Sequence, residues 1–268
     1  MNRFSSMLFA LITLAVLGAS AGAQDWNVQL VDDSGDVGYD SQVAVLSNGT
    51  PYIAFVGSGD LKLAWWVDQG DDSGWNFDVL ANAAAGRAKE MLVDSQDRLH
   101  LVWCSGNNSY YGIYSPVTQD WVLGPEVVPI AQYTAHLDLA LWQSGSDLIP
   151  VVVGNADSNY PVKLAVRNPG TGAWTAETCS GTYNAAGPSS VAVDALGGYH
   201  VSFYEYTGRN LVYAGKPAGG GSWALQTADV TGDIGQYSSI VVNAAGEVYI
   251  AYYDVTNGDL KFATTVLP

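Results

Sequence analysis

Five tryptophans, Trp26, Trp75, Trp121, Trp174 and Trp223, recur along this chain at intervals of 49, 46, 53 and 49 residues. Each opens a strand-like run, as in WNVQLV, WNFDVL and WALQTA. A period of this length in a β-rich chain points to propeller blades, because one blade cannot bury its own faces and needs neighbours stacked against it. Shorter stretches repeat in step with the tryptophans. GDLKLA at 59–64 returns as GDLKFA at 258–263, SGDVG at 34–38 as TGDIG at 231–235, and SSVAVDALGG at 189–198 as SSIVVNAAGE at 238–247.

Each unit holds four strand candidates bounded by Gly, Asn, Asp and Ser clusters. Inner strands begin at Gln42, Glu90, Leu137, Ser190 and Ser239; second strands read PYIAFV, LHLVWC, IPVVVG, YHVSFY and VYIAYY. Third strands read LKLAWW, YYGIYS, VKLAVR, NLVYAG and LKFATT, and the tryptophan-led runs are the outer strands. The expected fold is all-β, a five-bladed β-propeller of four-stranded antiparallel blades spanning residues 24–268. The chain starts on an outer strand, Trp26–Val31, and ends after a third strand, Leu260–Thr265. The N-terminal strand is therefore expected to complete the last blade, closing the ring and removing two open sheet edges. In these repeats the chain resembles the sialidase-like, BNR-type propeller superfamily of secreted bacterial proteins, and the resemblance implies the same ring architecture. The S-x-D-x-G-x-T-W box of true sialidases does not occur, so the resemblance does not extend to sialidase activity.

Residues 1–23 read as a signal peptide, with Arg3 near the start, an apolar run from Met7 to Leu17 and an A-x-A motif at Ala21-Gly22-Ala23. Cleavage there places the remainder outside the cytoplasm, secreted or periplasmic. The net charge is -16 with Arg3 counted. Such acidity repels phosphate backbones, which argues against nucleic acid, and no later apolar run reaches the ~20 residues a membrane helix needs. Neutral sugars, cations and basic protein patches remain compatible. Cys104 and Cys179 fall in different repeats, and nothing in the sequence brings them together as a disulfide; the simpler reading is two small buried hydrophobes.

In a four-stranded meander the outer-to-inner and second-to-third connections share one face, and functional residues are sought on that face and at the mouth of the central channel. Aligned inner strands carry Ser or Gln near their start, as at Gln42, except where Lys89-Glu90 and Leu137-Asp138 stand; Arg87 and His136 lie just before these. Charge beside a crowded axis asks for a reason. At the far end of the second strand the aligned series is Gly57, Ser105, Gly154, Glu205 and Asp254, and the simple structural account pairs Glu205 with Arg209. His100 and His200 share a repeat position with Tyr52, Ile149 and Tyr249, which suggests packing between blades. Tyr39, Tyr133, Tyr183, Tyr206 and Tyr237 lie in or beside the same loops, where aromatic faces could stack on sugar rings. No zinc motif is present; the acidic loop with Asp254, Asn257 and Asp259 could supply oxygen ligands to calcium, although Asp and Gly are also ordinary turn formers.

These residues favour a non-catalytic recognition module that binds a glycan or a protein on its loop face and channel mouth, with no cofactor beyond calcium. The ligand set would be Tyr39, Gln42, Arg87, Lys89, Glu90, His136, Asp138, Glu205, Arg209, Tyr237 and Asp254. The alternative is a glycoside hydrolase or related enzyme using Glu90, Asp138 and Glu205, since such chemistry needs two carboxyl groups at a set separation. A third reading is a docking plate in the cell envelope.

Overall fold

The computed structural model describes residues 27–82, 85–130, 134–156 and 160–266, without the side chains of 85–89, 134–135 and 156. The signal segment, Trp26 and Tyr133, and the side chains of Arg87 and Lys89, lie outside the described residues. The chain divides into two compact units, Met1–Leu30 and Val31–Pro268.

The second unit holds five antiparallel sheets, each a meander in chain order. The first comprises β1 (Val37–Val45), β2 (Pro51–Gly57), β3 (Asp60–Val67) and β4 (Gly74–Ala81). The second comprises β5 (Ala85–Val93), β6 (Leu99–Ser105), β7 (Asn108–Ser115) and β8 (Asp120–Val128). The third comprises β9 (Thr134–Ser144), β10 (Asp147–Ala156), β11 (Lys163–Arg167) and β12 (Trp174–Thr178). The fourth comprises β13 (Ala185–Val193), β14 (Tyr199–Glu205), β15 (Asn210–Lys216) and β16 (Ala224–Asp229). The fifth has three strands, β17 (Ile234–Val242), β18 (Val248–Asp254) and β19 (Asp259–Thr264). Here the structure departs from the expected outer strand at 26–31: residues 27–33 form no strand. Val28 and Leu30, the side chains such a strand would bury, are 89% and 74% exposed.

Alternation along each strand sends successive side chains to opposite faces, so the second, third and fourth sheets each serve two junctions. In β6, Leu99, Leu101 and Trp103 pack toward the first sheet, whereas Val102 and Cys104 pack toward the third. Val151, Val153 and Leu164 meet Val201, Phe203 and Val212 between the third and fourth sheets, and Leu211 meets Ile240 and Ile250 between the fourth and fifth. Each large aliphatic or aromatic group so buried contributes about 1.5–3 kcal/mol. Cys104 and Cys179 are buried in two different junctions and are not bonded to each other as a disulfide.

The inner strands enter with a bulge. Val37 pairs with Gly57 and Gln42 with Ala54, so five steps on β1 match three on β2. The second, fourth and fifth sheets repeat this count between Ala85 and Glu90, Ala185 and Ser190, and Ile234 and Ser239. In the third sheet Thr134 pairs with Ala156 and Asp138 with Val153, so four steps match three. The same pairing corrects the sequence alignment of this blade. Asp138 opposes Val153 as Ser190 opposes Ser202, which sets Val151, not Ile149, level with His200, and Ala156, not Gly154, level with Glu205. The cause is the hairpin: β9 and β10 pair down to Ser144 and Asp147, running further than β13 and β14, which stop at Val193 and Tyr199.

His100 and His200 do more than fill space between blades. His100 Nδ1 lies 2.6 Å from the Tyr111 hydroxyl and Nε2 lies 3.1 Å from Asp94. His200 repeats the arrangement with Tyr213 and Asp194 at 2.8 and 3.2 Å. Each Asp also caps its hairpin by accepting backbone N–H groups, from Gln96 and Arg98 or from Leu196 and Gly198. One imidazole thereby ties the first hairpin turn of its sheet to the third strand. Burial pushes the His100 pKa down, favouring the neutral ring this network accommodates.

Candidate functional site

The bulged ends of the inner strands bring Gln42, Glu90, Asp138, Ser190 and Ser239 to one level, each at the same step beyond its bulge. Asp138 accepts from Ser190 Oγ at 2.9 Å, from the Val191 N–H at 2.8 Å and from its neighbour Leu139 at 2.9 Å. Ser190 Oγ in turn accepts from the Ile240 N–H at 3.3 Å. The third, fourth and fifth sheets are thus laced together by a relay of side chains. Burial raises the Asp138 pKa despite these donors. Burial first, and the nearby Asp138 charge second, push Glu90 up to about 7. Two carboxyl groups that cannot both ionise cheaply leave Glu90 able to hold a proton near neutral pH.

The other expected acids are occupied. Glu205 is buried, and its two oxygens accept the Thr207 and Gly208 N–H groups at 2.7 and 2.6 Å, closing its own turn. Arg209 does not pair with it; its guanidinium reaches Asp233 at 3.4 Å. The nearer backbone donors, two and three residues on, capture the carboxylate ahead of a cation four residues on. Asp254 behaves alike, accepting from the backbone and side chain of Asn257 at 3.1 and 2.9 Å. These bonds hold its pKa low and use the oxygens proposed for calcium. Among the described residues no group of three or more His, Cys, Asp or Glu is arranged to hold a metal ion.

His136 is half-buried and pairs with Asn155 in the β9–β10 ladder. Tyr39 is exposed and donates its hydroxyl to Asp36 at 2.8 Å. Tyr237 is 67% exposed and holds φ +53 within the bulge of β17. For a bulky aromatic that conformation is strained, of order 1–3 kcal/mol, and such strain concentrates at sites of function.

Sequence reasoning missed the flanks of the blades. Between the second and third sheets, Arg167 Nε and Nη2 donate to Glu126 at 2.8 and 2.9 Å, and Trp174 Nε1 donates to the same carboxylate at 2.9 Å. These bonds, Arg167's foremost, hold Glu126 below the usual carboxylate range. Between the third and fourth sheets Lys216 reaches Glu177 at 2.6 Å beside a groove of about 600 Å³ lined also by Trp142 and Tyr199. Glu177 and Lys216 stand 39 residues apart. The only signal was an acid three residues after Trp174 and a base opposite the next tryptophan, which becomes meaningful once blades are stacked.

No family model and no curated protein matches the chain. Solved structures share its fold. A lectin from Aleuria aurantia in complex with Fucα1-6GlcNAc is 13% identical over 84% of this chain and 74% of that one, with a TM-score of 0.56. The SapL1 lectin in complex with α-methyl fucoside is 13% identical over 84% and 80%, with a TM-score of 0.52. A polysaccharide lyase, an ulvan lyase, is 12% identical over 80% and 66%, with a TM-score of 0.52. The likeness establishes the β-propeller type of fold. No helix among the described residues is long and apolar enough to cross a membrane.

Proposed function

We propose that the chain is an exported five-bladed propeller that recognises a glycan at its axial mouth without turning it over. The observation that carries this reading is the level of Glu90, Asp138 and Gln42, fringed by the exposed rings of Tyr39 and Tyr237. Carboxyl and amide groups bind sugar hydroxyls, and Tyr supplies a stacking face and a hydroxyl. Lectins and a polysaccharide lyase on the same fold lend support.

Asp32 follows the first tryptophan run and pairs with Lys62 of β3 at 3.0 Å. Asp229, at the end of the outer strand β16, pairs in the same way with Lys261 of β19. Asp32 therefore meets the first sheet as an outer-strand residue of a preceding blade would.

Glycan arrays with the purified chain test the recognition reading. Binding retained in Glu90→Gln and lost in Tyr237→Ala, with no hydrolysis, supports it. A second reading, hydrolysis or lysis of a glycan, is favoured by Glu90, which burial and the Asp138 charge push up to about 7. Turnover that disappears in Glu90→Gln establishes that reading and sinks the first.

A further inference from the structure

We infer that the fifth sheet takes a fourth strand from a second copy of this chain, whose Trp26–Val31 run lies along β19 and seats Trp26 in the groove between the fourth and fifth sheets. β19 is the edge of a three-stranded sheet and pairs only with β18. In each of the other sheets the fourth strand carries or directly follows a tryptophan, Trp75, Trp121, Trp174 or Trp223. Trp174 shows what such a ring needs. It lies 5.4 Å from Tyr111 of the preceding sheet, and its Nε1 donates to Glu126, the residue opposite Tyr111 in the β7–β8 ladder. Tyr213 is the counterpart of Tyr111, its hydroxyl beside His200 as that of Tyr111 is beside His100, and Gln226 stands opposite it as Glu126 stands opposite Tyr111. Tyr213 and Gln226 line a groove of about 360 Å³ together with Val248 and Thr265. Thr265 holds the repeat position of Arg167, one step past Thr264 as Arg167 is one step past Val166. The carboxylate and guanidinium of the other seam thus give way to a neutral amide, whose oxygen accepts an indole N–H without a base to balance it.

The run that fits is in the chain itself. Asp32 pairs with Lys62 as Asp229 pairs with Lys261, which aligns Trp26–Asp32 with Trp223–Asp229 and sets Gln29 opposite Phe262 and Val28 opposite Ala263. Trp26, Val28 and Leu30 then share the face turned to the groove. The donor comes from another copy because its root, Asp32, is fixed on the first sheet, while that sheet and the fifth are both uncovered. Val43 and Val45, on the face of β1 opposite Ala44 and Leu46, are 66% and 54% exposed, and Leu260 and Phe262 of β19 are 83% and 62% exposed. Open apolar faces and an open strand edge of this kind mark protein contacts. A copy with a rooted apolar run at one end and an open edge with its slot at the other is satisfied reciprocally by a second.

The test is disulfide trapping in the whole chain with Gln29→Cys and Phe262→Cys, both at exposed positions, the native cysteines being buried. Directly opposed residues on one face bring their Cβ atoms within about 5.5 Å, close enough to bond. Single variants carrying tags of different mass are expected to join, one of each, on mixing and oxidation. The native chain is expected to sediment as a dimer, and Trp26→Ala to raise the dimer Kd at least tenfold while keeping the native far-ultraviolet circular dichroism. A bond within one chain in the variant carrying both cysteines, with the single variants staying apart, assigns the slot to the chain's own run and overturns the inference. A monomer that forms neither bond, or a dimer indifferent to Trp26→Ala, overturns it as well. Glycan arrays with Glu90→Gln judge the axial mouth separately from all of these.

Discussion

The junction between the second and third sheets and the one between the third and fourth use the same strand positions to opposite ends. In the first, a forked guanidinium and an indole share Glu126, so every donor is spent within the protein. In the second, a point-charge ammonium takes one oxygen of Glu177 and leaves the Trp223 indole unanswered. An Arg fixes a carboxylate bidentately and turns it toward a third partner, whereas a Lys does not. One substitution within a repeat therefore separates a seam whose donors are all answered from one that leaves an indole without a partner.

The hardest way to break this comparison is to remove the acids. Glu126→Ala leaves Arg167 and the Trp174 indole without their acceptor in a largely buried setting, and is expected to cost about 2–3 kcal/mol. Glu177→Ala, whose side chain is 41% exposed, is expected to cost under ~1 kcal/mol. Urea denaturation of both variants measures the gap; equal losses would mean the two seams do the same job. Gly197→Ala comes next, at about 2 kcal/mol, because a methyl group collides with Trp142 at a residue held at φ +91. The same change should narrow the groove, and a crystal structure of the variant would show whether the Trp142 ring has moved.

A pH series sharpens the contrast. Glu126 has a pKa lowered in the folded state, so its contribution is whole above the unfolded value of about 4.3 and fades as pH falls through the folded one. The stability lost in Glu126→Gln is therefore expected to shrink by about 1 kcal/mol between pH 6 and pH 3, read from denaturation midpoints. A gap that widens on acidification would contradict the assignment. The smallest effect lies in the indoles. Trp174→Phe forfeits a made bond, about 1 kcal/mol, while Trp142→Phe removes a donor that had no partner and should fall within about 0.5 kcal/mol of neutral once ring size is allowed for.

How much of this was readable beforehand follows from how local each signal is. The tryptophan period and the alternation within runs such as VYIAYY are local, and the sheets formed where they pointed except at the first tryptophan run, where residues 27–31 form no strand. Blade three slipped by two positions in the sequence alignment because its hairpin is longer in strand and shorter in turn, a difference that only pairing reveals. The partnership assigned to Glu205 and Arg209 overlooked that N–H groups two and three residues away compete better than a side chain on a flexible stem. Contacts such as Arg167 with Glu126 cross sheets over 41 residues and carry no mark in either neighbourhood. Glu90 and Asp138 stood out because charge interrupted a serine pattern, a signal that survives without coordinates.

The uneven entry of the inner strands has a further result. Four sheets begin their inner strands with two surplus residues and the third with one, so a ring built from them as proposed would have no fivefold equivalence at its opening. A molecule seated there would not find five interchangeable poses. It would dock in a single orientation, keyed by the odd arm that carries Asp138, and a chain-like ligand would acquire a direction of travel.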